Sequence, residues 1–388
     1  MKILISAIVA IGALSLAACG SGGSGGGSGG GSDTPIKIPV IVSDTGTYAF
    51  AGVVSHKAME LAVDKVNRDG GIHGRNLELS YNDDGSQNAQ SLTLLGKLAA
   101  DNDTVAIMGP TATPLAASLG PVANARKVPL LGTTVISGSP LKTGPWMFKT
   151  SANPSSVMTE LGKVSTGQLK LKTVAVIFGR DNQGQVEQKD AFENGIKSGG
   201  GQIATEVGVL NTDTNFTAAA QKAVEAKPDA VYVSLTGDAS GNAVAQLKSA
   251  GLPDNVQILG TSQSVSQEYL SIGGRAVEGT IAGTDYDPSL DNPTNKAFTE
   301  AYKSKNGILP DSYAALGYQS VLQLAESLKS IKGDINRDSV KDALTAKRSY
   351  QGVLGNGKYT IGDDRVPEYG VALLKVTGGQ FVTFHTTS

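Results

Sequence analysis

The sequence predicts an α/β protein made of two doubly wound lobes, each built on a parallel β-sheet. Short apolar runs alternate with helical segments of roughly 10–15 residues, the spacing of βαβ units. This alternation runs once through residues 38–131 and a second time through residues 173–259. The length of 388 residues also suits two domains, at roughly 100–200 residues per domain.

The first series begins with a buried strand at residues 38–42 and a helix at residues 52–68. Met59, Val63 and Val66 fall on one face of that helix, and glycines at residues 70–71 end it. The other elements predicted for this series are strands at 77–81, 105–108 and 128–131 and helices at 87–100 and 114–125.

The second series repeats the pattern and is followed by a different C-terminal region. Its predicted strands lie at 173–178, 203–209, 230–233 and 257–259, and its helices at 186–198, 216–226 and 239–250. Residues 292–328 are helical without a strand, and another helix covers residues 337–345. The last predicted strands are 358–361, 369–375 and 380–384, with Gly378 and Gly379 as the hairpin turn between the final two.

Composition argues against several classes of function. The chain has 33 Lys and Arg against 35 Asp and Glu, so we expect no basic face for nucleic acid. Hydrophobic residues make up 40%, enough for a core, which excludes general disorder. The single cysteine cannot form an internal disulfide or a multi-thiolate metal site. Because no nucleophile, phosphate-loop or zinc-protease motif occurs, we expect no enzyme, no cofactor and no metal.

The N-terminal residues predict export and a membrane anchor. Residues 3–16 carry no charge, which is too short for a spanning helix but typical of a signal peptide. Leu16-Ala17-Ala18-Cys19 resembles the lipobox of bacterial lipoproteins, in which the cysteine is acylated and becomes the mature N-terminus. An ordinary secretory signal that happens to end in cysteine is the alternative. We predict a signal peptide at 1–18 and a lipidated Cys19 with a flexible Gly/Ser tether at 19–34.

Short motifs follow one another in a fixed order along the rest of the chain. They are SDTGTYA at 43–49, NRDGGIHGR at 67–75, the aspartates at 83–84, IMGP at 107–110, WMFKT at 146–150, Gly184, KPDAV at 227–231 and GY at 317–318. In this order they resemble the type I periplasmic binding proteins, and most closely the Leu/Ile/Val-binding proteins of branched-chain amino-acid ABC transporters.

The resemblance implies two lobes joined by three crossovers, with the ligand held between the lobes. It places the N-terminal lobe at 35–151 plus 287–353 and the C-terminal lobe at 152–286 plus 354–388. It further implies an extracytoplasmic, lipid-anchored, monomeric protein of the bacterial envelope that delivers a small carboxylate-bearing ligand, an amino acid or a related acid or amide, to ABC permease subunits. A ligand-sensing protein that signals to a membrane receptor without transport is the alternative.

In open parallel sheets a ligand binds beyond the carboxyl ends of the strands, where hydroxyl side chains occur in this chain. Hydroxyl groups beside the N–H groups of a helix start suit a carboxylate. By the resemblance, Thr113 helps to hold the ligand carboxylate; helix capping without a ligand is the alternative. The ligand-binding residues predicted on the first lobe are Tyr48, Phe50, Thr111, Ala112, Thr113, Thr133, Thr134 and Val135.

The second half of the predicted site departs from the family pattern. Gln183 stands where the family has an aromatic residue, residues 260–263 lack the acidic partner of the ligand's amine, and Ile136 replaces an expected hydroxyl. The ligand is therefore either an amino acid held differently or an acid or amide without an α-amine. Asp238 could supply the missing charge, with a helix cap as its alternative role. The ligand-binding residues predicted on the second lobe are Gln183, Thr236, Asp238, Ser262 and Gln263.

Overall fold

The computed structural model describes residues 34–355 and 357–387. The predicted signal peptide, the lipidation site at Cys19 and the Gly/Ser run after it lie outside the described residues. Among the residues that are described, no helix is both long and apolar enough to cross a membrane.

Strands and helices alternate through most of the chain. The strands are β1 (Ile36–Val42), β2 (Leu77–Asp83), β3 (Ile107–Met108), β4 (Leu130–Gly132), β5 (Met147–Lys149), β6 (Thr173–Gly179), β7 (Gln202–Val209), β8 (Ala230–Ser234), β9 (Gln257–Gly260), β10 (Ile281–Thr284), β11 (Ser349–Gln351), β12 (Lys358–Ile361), β13 (Pro367–Glu368), β14 (Ala372–Thr377) and β15 (Gln380–Thr386). The helices are α1 (Ala49–Arg68), α2 (Asn88–Ala100), α3 (Thr113–Arg126), α4 (Pro154–Gly167), α5 (Gln183–Ser198), α6 (Thr217–Glu225), α7 (Gly237–Ser249), α8 (Gln267–Gly273), α9 (Pro293–Asn306), α10 (Ser312–Ser330) and α11 (Arg337–Ala346).

The first lobe is built on a parallel sheet of five strands in the order β2-β1-β3-β4-β5. Strand β1 is central, and its Val40 pairs with Tyr81 on one side and Met108 on the other. Nearly every residue of β1 is buried, as expected for a parallel strand that helices cover on both faces. Helices α1 and α10 pack together over this sheet and contribute Met59 and Val321 to its main hydrophobic core.

The second lobe is built on a sheet of seven strands in the order β15-β14-β10-β9-β8-β6-β7. The five strands from β10 to β7 are parallel, while β14 runs antiparallel to β10 and β15 antiparallel to β14. Gly378 and Gly379 join the last two strands with φ angles of 60° and 72°, as the predicted hairpin turn requires. The prediction of an α/β fold with two doubly wound lobes is confirmed.

The chain passes between the two sheets after β5, after β10 and before β14. The small sheet β11-β12-β13 precedes the last passage and contacts the first lobe. Tyr359 Oη donates to Gln323 Oε1 on α10 at 3.0 Å, and Arg365 Nη1 donates to the Met147 carbonyl at 2.7 Å. These contacts argue for a last boundary near Tyr369 instead of the expected one after residue 353. The exact lobe boundaries stay a prediction.

Candidate functional site

The strand orders create one crevice in each lobe. In the first sheet the chain connections diverge between β1 and β3, and in the second they diverge between β6 and β8. Ligands of open α/β sheets bind outside the carboxyl ends of the strands at such points. The loops that follow these strands in the two lobes meet in one cleft.

A small cavity of about 20 Å³ lies where these loops meet. Its lining from the first lobe is Tyr48, Phe50, Ala51, Thr111, Ala112, Thr113, Thr134, Ile136 and Tyr313, and from the second lobe Asn182, Thr236 and Gln263. Every residue of this lining is uncharged at neutral pH. A cavity with uncharged walls and several hydroxyl and amide groups suits a small ligand that is recognised by hydrogen bonds.

Most of the predicted ligand-binding residues lie at this cavity, but several do not. Ser262 lines a neighbouring cavity instead. The Thr133 hydroxyl donates to the Pro110 carbonyl at 3.4 Å, and Val135 is fully buried. Gln183 begins α5 outside the lining. The exposed Asp238 is the second residue of α7 and accepts the N–H of the next residue, Ala239, at 2.9 Å, whereas the N-cap of α7 is Thr236. Whether the lining residues bind a ligand stays a prediction.

Four residues of the lining were not predicted: Ala51, Ile136, Asn182 and Tyr313. Asn182 immediately precedes the predicted Gln183 and caps α5, because its Oδ1 accepts the Gly184 N–H at 2.9 Å. An Asn before a helical segment is a common cap signal, and this signal could have pointed to Asn182 at the end of the loop after β6. Ile136 and Tyr313 line the cavity only because of how the loops and the two lobes pack together, and a sequence pattern does not show this packing.

Two threonine side chains of the first lobe line the cavity, and their hydroxyl oxygens accept hydrogen bonds from the backbone. Thr113 Oγ1 accepts the N–H of Ser137 at 3.2 Å, and Thr111 Oγ1 accepts the N–H of Ser43 at 3.0 Å. Since each oxygen already accepts a hydrogen bond from the protein, its own O–H proton stays available for a ligand. Thr113 is also the first residue of α3, where backbone N–H groups favour an anion.

An aromatic pair forms another wall of the cavity. The rings of Phe50 and Tyr313 meet edge to face with their centroids 5.3 Å apart. Tyr313 is 3% exposed, and its hydroxyl has no hydrogen-bond partner among the described residues. Burial raises the pKa of Tyr313 well above its ordinary value, so this hydroxyl remains a proton donor. A buried hydroxyl without a partner costs about 1–3 kcal/mol, which an acceptor on a ligand would recover.

The second lobe offers neutral polar groups. Thr236 Oγ1 donates to Asn211 Oδ1 at 3.0 Å, which fixes this side chain at the start of α7. Gln263 Oε1 accepts the Thr261 hydroxyl at 3.1 Å, and its amide nitrogen is left to donate. The second lobe therefore presents no carboxylate to the cavity lining.

The two lobes contact each other directly beside the cavity. The side chain of Ile136 packs against Gly184, where an added Cβ would lie 2.5 Å from Ile136 Cγ1. One residue further along, Ser137 Oγ donates to Glu187 Oε1 at 2.6 Å. The absence of a side chain at Gly184 is thus what lets the lobes approach this closely.

A buried ammonium group connects this region to the first crossover. Lys149 Nζ donates to the carbonyls of Ile136 at 2.7 Å and Ser137 at 3.1 Å, and to the carbonyl of Ala152 at 3.3 Å. Burial lowers the pKa of Lys149 to about 7, against the opposing effect of the carboxylates of Glu187 and Asp285.

Two open, mainly parallel sheets whose crevices share one polar cleft define a two-lobe ligand-binding protein. The chain belongs to the periplasmic binding protein family, whose sequence profile matches residues 35–380. The chain is thus a solute-binding protein of an extracytoplasmic family, and the type I fold predicted from the motifs is confirmed.

Similar proteins support this assignment. The Leu/Ile/Val-binding protein homolog 1 of Brucella suis is 27% identical over 336 residues, which are 86% of this chain and 88% of that protein. A leucine-binding protein from Thermotoga maritima has a TM-score of 0.83 at 22% identity, covering 90% of this chain and 98% of that one. A solute-binding protein from Rhodopseudomonas palustris, solved with 3,4-dihydroxybenzoic acid, has a TM-score of 0.82 at 24% identity, covering 92% and 97%. The predicted resemblance to the Leu/Ile/Val-binding proteins is confirmed.

The structure contains no apparent metal-binding cluster within residues 34–355 and 357–387. In that part of the chain no group of three or more His, Cys, Asp or Glu side chains could hold an ion. The family consists of solute-binding proteins, and the absence of catalysis by this chain stays a prediction.

Proposed function

We propose that this protein is a lipid-anchored solute-binding protein that captures a small carboxylic acid, or a related amide or amino acid, and delivers it to an ABC permease. The observation that carries the proposal is the uncharged cavity with the Thr111 and Thr113 hydroxyls at the start of α3. The similar proteins support a carboxylate, since leucine and 3,4-dihydroxybenzoic acid, named for two of them, share only that charged group.

The lining favours a ligand without an α-amine. A buried ammonium group that lacks a paired carboxylate is costly. Ile136 faces the cavity where the resemblance led us to expect a hydroxyl, and Asp238 is turned to the start of α7. We therefore expect Leu, Ile and Val to bind less well than acids of similar shape.

A matched pair of ligands tests this proposal. Leucine and 4-methylpentanoate differ only in the α-amine, so their affinities isolate the cost of burying it. Calorimetry on the purified protein, with thermal shift as a screen, should show tighter binding of 4-methylpentanoate. Tight leucine binding together with weak 4-methylpentanoate binding would place the amine partner elsewhere and contradict the preference for a ligand without an α-amine.

The proposal also requires that the two lobes close around the ligand by rotation at the crossovers. A ligand shifts this equilibrium only if it binds the closed state better, which contacts to both lobes provide. Small-angle X-ray scattering should show a smaller radius of gyration when ligand is added. An unchanged scattering profile at saturating ligand would argue against closure.

A further inference from the structure

One hydrogen bond joins side chains of the two lobes away from the crossovers. Ser137 Oγ, in the loop after β4, donates to Glu187 Oε1 on α5 at 2.6 Å. Within residues 34–355 and 357–387, the other hydrogen bonds between the lobes involve residues at or next to the crossovers, such as Ala152, Asp285 and Tyr369. Because Ser137 and Glu187 belong to opposite lobes, their bond breaks when the cleft opens.

The surroundings of the Ser137 hydroxyl fix the direction of its proton. The oxygen of this fully buried side chain accepts the backbone N–H of Ser139 at 2.9 Å, and the two hydroxyl oxygens lie 2.8 Å apart. An ionised carboxylate only accepts, so the Ser137 proton points to Glu187 while the Ser139 hydroxyl donates to Ser137. When the lobes separate, the Ser137 proton can turn to Ser139 Oγ instead. Ser137 therefore has a hydrogen-bond partner in both states, which keeps the contact with Glu187 reversible.

Glu187 depends on the other lobe for its partner. In the described part of the chain no cationic nitrogen lies within 4 Å of its carboxylate, and the nearby Lys189 pairs with Asp190 and Glu206 instead. The ammonium group of Lys149 attracts Glu187 at longer range but gives its hydrogen bonds to other oxygens. A short hydrogen bond to a carboxylate is about twice as strong as one between neutral groups. The Ser137 contact thus favours the closed arrangement of the lobes.

Ser137 also contacts the proposed carboxylate site. Its backbone N–H donates to Thr113 Oγ1 at 3.2 Å, and in the proposed function the Thr113 hydroxyl donates to the ligand carboxylate. A hydroxyl that donates to an anion becomes a better acceptor, because hydrogen bonds in a chain polarise one another. A bound carboxylate therefore strengthens the bond that holds Ser137 in place. The same residue then presents its hydroxyl to Glu187.

We propose that Ser137 and Glu187 form a latch that couples occupation of the carboxylate site at Thr113 to closure of the lobes. The inference rests on the proposed function, which places the ligand carboxylate at Thr113. Glu187 lies outside the lining of the cavity, so it is a positioning residue that holds the second lobe over the ligand. Its effect reaches the ligand only through Ser137 and Thr113.

A double-mutant cycle tests the latch. The probe is whichever of leucine and 4-methylpentanoate binds the wild-type protein more tightly. In calorimetry, Ser137→Ala and Glu187→Leu should each weaken binding about 10-fold, and the double variant should also lose about 10-fold, because both changes remove the same bond. Glu187→Gln keeps an acceptor oxygen and should lose less than about 3-fold. Glu225→Leu, the same change at an exposed position of α6, should leave the affinity unaltered.

The link to the ligand is tested by repeating the cycle in Thr113→Ala. The coupling between Ser137 and Glu187 should then fall from about 10-fold to less than about 3-fold, since Thr113 no longer holds the Ser137 N–H. A coupling that stays near 10-fold in Thr113→Ala would show that the Ser137–Glu187 bond acts without the carboxylate site and would overturn the inference.

The remaining outcomes separate this inference from the proposed function. Losses that multiply to about 100-fold in the double variant would show that Ser137 and Glu187 act independently, and the latch would be wrong. If Ser137→Ala does not fold, Glu187→Leu and Glu187→Gln test the latch at a partly exposed position. Wild-type affinity in Glu187→Leu would refute the latch and leave the proposed function standing. If the wild-type protein binds no carboxylate at all, both fail.

Discussion

The phenolic hydroxyl of Tyr369 donates a hydrogen bond of 2.9 Å to Oδ2 of Asp285 and accepts the backbone N–H of Ala152. Ala152 follows β5, Asp285 follows β10 and Tyr369 precedes β14, so the three residues belong to the three passages between the lobes. A single, partly buried phenol therefore connects all three crossovers.

Replacing Tyr369 with Phe should lower stability and alter closure. The change leaves the Ala152 N–H and one Asp285 oxygen without a partner, which costs about 1–3 kcal/mol of unfolding free energy. Urea denaturation measures this loss, and scattering with ligand measures closure. Tyr350→Phe is the control, since it removes a buried hydroxyl that bonds Ser327 at 2.8 Å away from the crossovers. The control should lose stability but keep the normal response to ligand; wild-type stability in Tyr369→Phe would refute the role assigned to the phenol.

Thr113→Ala should weaken binding of a carboxylate ligand by about 10- to 100-fold. Losing a hydrogen bond to a charged group is worth roughly 1.5–3 kcal/mol. Calorimetry with 4-methylpentanoate measures the effect. Ser118→Ala on the same helix removes a hydroxyl that bonds the Pro114 carbonyl at 3.3 Å, and it should leave the affinity unchanged. Unaltered binding in Thr113→Ala would mean that the carboxylate lies elsewhere.

Gly184→Ala should prevent full closure of the lobes. The added Cβ would lie 2.5 Å from Ile136 Cγ1, so the contact between the lobes must open. We expect at least ~10-fold weaker binding, equivalent to about 1.4 kcal/mol, and a radius of gyration that no longer shrinks with ligand. Gly167→Ala at the end of α4, where a Cβ meets no atom within 4 Å, is the matched control. Adding Ile136→Ala should restore closure, and failure of that rescue would locate the clash elsewhere.

Asp311→Asn should stabilise the protein above pH 7. Asp311 Oδ1 accepts the Ala314 N–H at 2.9 Å at the start of α10, and burial raises the pKa of Asp311 to about 7. The folded state thus binds more protons than the unfolded state between about pH 4 and 7, so this site's contribution to stability falls as the pH rises through that window. Asparagine caps equally well and carries no charge.

The expected gain from Asp311→Asn is roughly 1–3 kcal/mol at pH 8 and close to zero at pH 4, at about 1.4 kcal/mol per pKa unit and allowing for solvent screening. Thermal unfolding across this pH range measures it. Asp254→Asn replaces a fully exposed carboxylate and should change little at either pH. A constant difference between Asp311→Asn and wild type at all pH values would show that charge is not the cause.

Replacing Cys19 with Ala should release the protein from the membrane. The prediction rests on the lipobox alone, because Cys19 lies outside the described residues. Stable attachment needs two or more acyl chains, since one chain binds only marginally. Cell fractionation and mass spectrometry of the mature N-terminus test it. A wild-type protein that is freely soluble with an unmodified N-terminus would disprove the anchor.

The fold was largely predictable because its elements are long and periodic. Helix α1 was predicted within three residues of its start, since its apolar face repeats over five turns. Strands β5 and β10 were not predicted as strands, because they are only three and four residues long and include Lys149 and Gly283. Their short runs carry no alternation that could be recognised.

The site was predictable only in part, for a different physical reason. Thr111 and Thr113 were found because strand ends of a parallel sheet lie at one edge. Ile136 and Asn182 belong to opposite lobes, and they reach the same cavity only because the lobes pack together. The unpartnered hydroxyl of Tyr313 cannot be recognised in sequence, because it depends on every neighbour of the ring.

The contacts of Lys149 have a consequence for the order of events in binding. Because its ammonium group holds the carbonyls of Ile136 and Ser137 together with that of Ala152, the loop at the cavity and the first crossover move as one unit. In the proposed closure, the ligand-binding surface of the first lobe is therefore already formed before the second lobe closes onto it. The ligand then associates with the first lobe alone. Its residence time on the protein depends on how often the second lobe opens. Ligands that differ only at the end facing the second lobe will therefore arrive at the same rate and leave at different rates.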